Sequence, residues 1–281
     1  MLDALGLGKI SVGPPYFSSV FVPLMVPLVF LMGIGPLARW KHENPLHLAM
    51  KLRYAFVASL FISIPFPAVF LGAHDWSAVA GVALAVWVLF TAMQNLYAWL
   101  CHRSLLAIPR GVYGMTFAHL GIGVTLLGIV LSSVYSVEKD VVMHPGETLE
   151  LGGYAFRLEN IEEVPGPNYM ATRGTVQVLK EGKAVAVLHP EKRVYRVQAN
   201  PMTEAAIDAG IFRDIYVALG EPLEDGAWSV RLYVKPFVRW IWMGALFMAL
   251  GGILAASDRR YRILARRQRE ALRQGMAPSP A

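Results

Sequence analysis

Apolar residues gather in five long runs, at about 17–38, 54–72, 77–100, 113–135 and 237–256. Each approaches the roughly 20 helical residues that cross about 30 Å of hydrocarbon. The first four contain no Asp, Glu, Lys or Arg, and the fifth holds only Arg239. Lipid offers no partners to open sheet edges, so these runs predict transmembrane helices. Pro23, Pro27 and Pro36 in the first run and Pro65 and Pro67 in the second are expected to kink them.

Between the fourth and fifth runs the pattern changes to short alternating stretches divided by turn residues. Strands are predicted at 148–151, 154–163, 174–180, 184–189, 193–197, 214–219 and 228–234, with turns at Gly152-Gly153, 165–168, Glu181-Gly182 and Asp225-Gly226. Asn200 and Pro201 read as the N-cap and first residue of a short helix continuing from Thr203 to Ala209. The fold class expected is therefore a membrane α-helical protein of about five transmembrane helices with an inserted β-rich domain, a small barrel or sandwich. Its organisation would be 1–135 for the N-terminal segment and four helices, 136–236 for the β-domain, 237–256 for the fifth helix and 257–281 for a basic tail.

Composition agrees with this pattern: 55% of residues are hydrophobic and only 16% charged, against about 25% charged in soluble domains. An ordinary soluble enzyme, a disordered chain and a coiled coil are excluded. Cys101 is the single cysteine, so there is no intrachain disulfide, no CxxC redox pair and no C-x-x-C-H haem attachment of the chain's own. The net charge of +6 is unevenly spread. Arg39, Lys41, Lys51 and Arg53, then Arg103 and Arg110, then seven arginines from Arg259 to Arg273 all fall in connections on one side. The bias makes that side cytoplasmic, with the N-terminus and 136–236 outside. The region 136–235 has 15 acidic and 11 basic residues. The basic excess thus serves topology and contact with anionic membrane lipid; no basic surface paired with stacking aromatics points to nucleic acid. Residues 1–16 lack a basic stretch followed by an apolar core. A chain starting outside without an export signal is expected to follow further helices, on another chain or upstream in a longer protein.

The β-domain shows no catalytic constellation. His144 and His189 lie beside prolines in apparent loops, and no nucleophile elbow, phosphate loop or zinc spacing occurs. His42, His47 and His102 fall in cytoplasmic connections, and His74 in a short turn beside Trp76.

One ionisable group lies deep within the first four runs. His119 is about six residues from the cytoplasmic end of the fourth, or roughly 9 Å at 1.5 Å per residue. A histidine in hydrocarbon needs a partner or a metal. Gly111, Gly114, Ala118, Gly121, Thr125 and Gly128 recur beside it at three- and four-residue spacing. Such a stripe admits a closely packed helix or the flat face of a porphyrin, and imidazole is a good axial ligand of haem iron. Two readings stay open at this point, a haem ligand and a hydrogen-bonded histidine in a tight helix interface.

Several blocks resemble one family in order along the chain: Lys9 to Phe17, Ala118 to Gly121 around His119, Met202 to Ile207, Arg213 to Glu221, Val234 to Trp242, Gly251-Gly252 and Asp258 to Arg262. Together they are similar to the C-terminal part of the bacterial cytochrome c maturation protein CcmF. The tryptophan-rich haem-handling segment of that family is absent here, so the chain is expected to be the C-terminal subunit of a split CcmF or a fragment of one.

The resemblance implies a cytochrome c haem lyase of the bacterial inner membrane, forming thioether bonds only together with its N-terminal part. It implies substrate haem delivered by haem-loaded CcmE, apocytochrome c presented by CcmH and CcmI, and electrons drawn from quinol. It implies a transmembrane haem b with His119 as one axial ligand of the haem iron, the other lying upstream, and a periplasmic docking domain at 136–236. No role follows for Met202 to Ile207, and Cys101 is not expected to take part. The alternative of another class is a cofactor-free membrane scaffold or permease-like subunit.

Overall fold

The computed structural model describes residues 14–38, 43–66, 69, 75–197 and 200–258. Five helices in it are long and apolar enough to cross a membrane: α1 (Pro14–Ile34), α2 (Pro45–Ser63), α3 (Trp76–Leu100), α4 (Arg110–Tyr135) and α5 (Val238–Ala256). Among the described residues ten strands separate α4 from α5. The chain divides into two compact units, residues 1–126 with 243–281, and residues 127–242.

In the first unit α3 is the most covered helix. Trp87 on α3 stacks on Phe30 of α1 at 5.2 Å and 9°, and its indole N–H donates to the Phe30 carbonyl at 2.9 Å. Only glycine fits at Gly33, because a Cβ there would collide with that indole. Val29, Ala55, Trp87 and Val88 form a buried cluster, onto which Ile122 and Leu126 of α4 also pack. Asp75 starts α3 by accepting from the Ser77 and Ala78 backbone N–H groups at 2.7 and 3.2 Å, as an N-cap carboxylate does.

The second helix begins nine residues before the expected 54–72 span and ends at Ser63. The apolar run misplaced it because His47, Lys51 and Arg53 read as a loop. The start is set instead by Asn44, whose side chain accepts from Leu46 N–H at 3.0 Å, and by Pro45 in the first turn. Lys51 stays inside the helix with its ammonium 3.1 Å from Glu43, its aliphatic stem free to run along the apolar surface. Pro23 and Pro27 lie within α1, which gives way to a short 3-10 turn at Gly35–Leu37. Pro67, His42, His74, Trp40 and the arginines from Arg259 onward lie outside the described residues.

The second unit contains the β-domain. A four-stranded sheet runs in the order β1 (Val137–Met143), β10 (Trp228–Pro236), β9 (Arg213–Pro222), β8 (Ala206–Ala209). A six-stranded sheet runs β2 (Thr148–Leu151), β3 (Tyr154–Pro165), β4 (Tyr169–Lys180), β6 (Glu191–Tyr195), β7 (Pro201–Glu204), with β5 (Lys183–Leu188) also paired to β4. All pairings are antiparallel. Alternate residues of both sheets meet in one core: Phe156, Leu158, Val176 and Val178 from one, Ile215, Val217, Leu219 and Leu232 from the other, all with no exposed surface. The result is the expected α-helical membrane protein with a curled antiparallel β-sandwich inserted.

The helix expected from Asn200 to Ala209 is not formed. Pro201 opens β7 on the edge of the larger sheet, and Ala206 to Ala209 form β8 on the edge of the smaller one. Proline at the start of an edge strand loses no ladder bond. Val194 and Tyr216 are the register partners of Pro201 and Ile207, and this pairing overrides the local capping signal.

Candidate functional site: the α4–α5 pair and His119

The start of α4 is held by the end of α5. The Asp258 carboxylate accepts from the Gly111 backbone N–H at 2.8 Å, filling one of the orphan donors at a helix N-terminus with a negative charge where the dipole favours it. From there the small-residue stripe of α4 lies directly against α5. A Cβ on Gly114 would stand 2.6 Å from the Gly251 carbonyl oxygen, one on Gly121 2.5 Å from that of Gly244, and one on Gly251 2.5 Å from the Ala118 nitrogen. A Cβ on Gly244 would overlap Thr125 Oγ1 and the Gly121 carbonyl. In the second unit Gly128 meets Ile241 in the same way. Backbones this close are the reason for glycine at these positions. The stripe is thus occupied by a helix rather than offered as a platform for a flat ligand.

His119 lies on a different side of α4. It shares a face with Gly123, one turn later, and Gly123 meets Leu89 and Ala85 of α3. The ring is half-buried. Its Nδ1 is 2.8 Å from the Met115 carbonyl oxygen. A carbonyl can only accept, so in the neutral ring Nδ1 carries the proton and Nε2 keeps its lone pair. A second-sphere carbonyl of this kind fixes the tautomer and orientation of a ligating histidine. The donor chemistry therefore fits a single axial bond from Nε2 to haem iron.

Three other described histidines are engaged elsewhere. His47 pairs with Glu43 at 3.3 Å and His144 with Glu147 at 3.2 Å, while His189 Nδ1 lies 3.4 Å from Thr175 Oγ1. Cys101 is exposed just beyond α3. Among the described residues no group of three or more His, Cys, Asp or Glu side chains could hold a metal ion.

Two features escaped the sequence reading. Asp258 opens the Asp258 to Arg262 block that carries the resemblance, but its capping role has no signal in the sequence, because its Gly111 partner lies 147 residues away. In the β-domain, buried Glu191 holds Arg173 through Nη2 at 2.6 Å and Arg193 through Nε at 2.7 Å, and Arg193 in turn lies over the Tyr169 ring at 4.7 Å. Burial pushes the Glu191 carboxyl up, but the hydrogen bonds and charges of the two guanidiniums outweigh it and hold the group below the usual carboxylate range.

Comparison with known proteins agrees with this architecture. Residues 134–236 match the family described as the CcmF C-terminal beta-sandwich. The chain is 47% identical over 277 residues to the cytochrome c-type biogenesis protein CcmF of Pseudomonas aeruginosa, covering 97% of this chain and 42% of that one. It is 46% identical over 264 residues to CcmF of Escherichia coli, covering 92% of this chain and 40% of the relative. A solved structure named Cytochrome c Heme Lyase CcmF superposes with a TM-score of 0.71 at 21% identity, over 88% of this chain and 41% of that one; at that identity it speaks for the fold. The chain spans about two fifths of the length of these curated relatives. It belongs to the CcmF family and corresponds to the C-terminal part of its members.

Proposed function

We propose that this chain is the C-terminal part of a cytochrome c haem lyase, contributing one axial ligand of a transmembrane haem b and a domain that docks partners on the outer face of a bacterial inner membrane. The observation that carries the reading is the His119 ring, within a span free of carboxylates and ammoniums, with Nδ1 tied to Met115 and Nε2 left basic. The relatives' names, cytochrome c-type biogenesis and haem lyase, support the wider role.

Bound at His119, haem b would supply one-electron redox chemistry within the membrane. The chain's own residues would hold it: His119 by ligation, Met115 by orienting the ring, and the locked α4–α5 pair by fixing the height of the histidine. The second ligand would come from the N-terminal part. Reduced iron and reduced thiols are both needed for thioether formation in an oxidising compartment, and an electron path from quinol through the membrane meets that need. Substrate haem would arrive on haem-loaded CcmE, and apocytochrome c through CcmH and CcmI. The β-domain, whose described residues include no group of three or more His, Cys, Asp or Glu side chains that could hold a metal ion, would serve as the docking surface.

The test is maturation of a reporter cytochrome c in bacteria whose own CcmF lacks the corresponding region. The chain supplied with the N-terminal part should restore covalent haem attachment, and His119→Ala should abolish it. Full attachment with His119→Ala would remove the proposed ligand role, and a cofactor-free scaffold would then account for the chain.

A further inference from the structure

The register of the four-stranded sheet places a third segment level with the two helix crossings. Val137, two residues after α4, pairs with Val234; Pro236, two residues before α5, pairs with Arg213; Ala209 pairs with Asp214. The start of β1, the end of β10 and the β8–β9 turn therefore lie at the same end of the sheet. That turn is Gly210-Ile211-Phe212, and its two apolar side chains are 62% and 64% exposed.

The turn is held rigidly toward α5. Gly210 N–H donates to the Arg213 carbonyl at 2.9 Å and to Asp214 Oδ1 at 3.0 Å. Asp214 also lies 3.7 Å from Arg239 in the first turn of α5. Phe237 N–H donates to the Phe212 carbonyl at 3.0 Å. The Phe212 ring packs at 6.1 Å on Phe237 and 6.4 Å on Trp240, which themselves meet edge-on at 5.1 Å. Phe237 takes a left-handed conformation, φ 57°, to turn the chain from β10 into the helix. An exposed aromatic at the height where an apolar helix begins, continuous with a Trp on that helix, matches the composition of the membrane interface.

We propose that Ile211 and Phe212 form a membrane-interface anchor, lying at the boundary between lipid headgroups and acyl chains. The occupant of this patch is the bilayer surface. The sheet would then rest on lipid at a third point beside its two helix crossings, which restrains tilting of the β-domain. The inference rests on α5 spanning a membrane and is independent of the haem assignment.

The experiment places nitroxide spin labels in the full chain, co-expressed with its N-terminal part and reconstituted into phosphatidylcholine–phosphatidylglycerol vesicles. The background is Cys101→Ser. Labels go at Phe212→Cys, at Ile211→Cys as a site free of ring packing, at Glu224→Cys in the turn at the opposite end of β9, and at Leu250→Cys within α5. Collision rates with oxygen and with a water-soluble nickel chelate report depth. The anchor predicts an oxygen-to-nickel ratio at 211 and 212 at least roughly threefold above that at 224 and below that at 250. A ratio equal to that at 224 puts the turn in water and overturns the proposal. Labels shut off from both reagents mean that protein covers the patch, which overturns it as well. A water-like ratio at 250 would instead defeat the membrane assignment of α5.

Discussion

His119 Nδ1 lies 2.8 Å from the carbonyl oxygen of Met115, one turn earlier on the same helix. The bond is local and the ring half-buried, so the histidine contributes little to holding the helices together. His119→Ala in the haem-free chain should change thermal stability in detergent by less than about 1 kcal/mol, read by circular dichroism. A collapse of the helical unit on this substitution would make the residue a packing element instead.

Gly244 and Gly252 share a helix but not an environment. A Cβ at Gly244 would overlap Thr125 and the Gly121 carbonyl, whereas nothing lies within 4 Å of one at Gly252. Gly244→Ala should cost about 1–3 kcal/mol from overpacking against backbone. Gly252→Ala should be neutral or stabilise by up to about 1 kcal/mol, from helix propensity. Unfolding midpoints of the two variants check the pair.

Asp258 tests the cap joining the two helices. Asp258→Ala should lower stability by about 1 kcal/mol and Asp258→Asn by less, because an amide oxygen still accepts from Gly111. Faster amide hydrogen exchange at Gly111 and Val112 in the alanine variant would locate the loss.

The Glu191 network gives the β-domain a pH dependence of known sign. Its carboxyl is held below the usual 4.5 in the folded state. Such a group binds its proton more readily when unfolded, so its stabilisation is complete above pH 4.5 and is lost as pH falls through the folded value. Glu191→Gln should cost about 2 kcal/mol at neutral pH, where two arginines lose a charged acceptor. It should also flatten the fall in melting temperature below pH 4.5. An unchanged slope would assign the acid sensitivity to other carboxylates, such as Asp140 beside Arg231.

Much of this molecule can be read from residue pattern because lipid imposes simple rules: among the described residues an apolar run overlaps each of the five long helices, and alternation found seven of the ten strands. The errors have physical causes. His47, Lys51 and Arg53 masked the start of α2, since long polar side chains can lie along a helix and reach outward. Asn200-Pro201 imitated a helix start because capping is local and strand pairing is not. His119 stood out as a lone imidazole in an apolar run, and Met115 follows from helical spacing once that run is a helix. The partner of its glycine stripe could not be read, since α5 lies more than 100 residues further along.

The central claim is that His119 ligates haem iron. Its most direct test is the reduced-minus-oxidised absorption spectrum of this chain assembled with the N-terminal part that its longer relatives carry. The account predicts a b-type haem signal in the native assembly that disappears in His119→Ala, with both parts still co-purifying. The same signal at the same haem content in His119→Ala would contradict it.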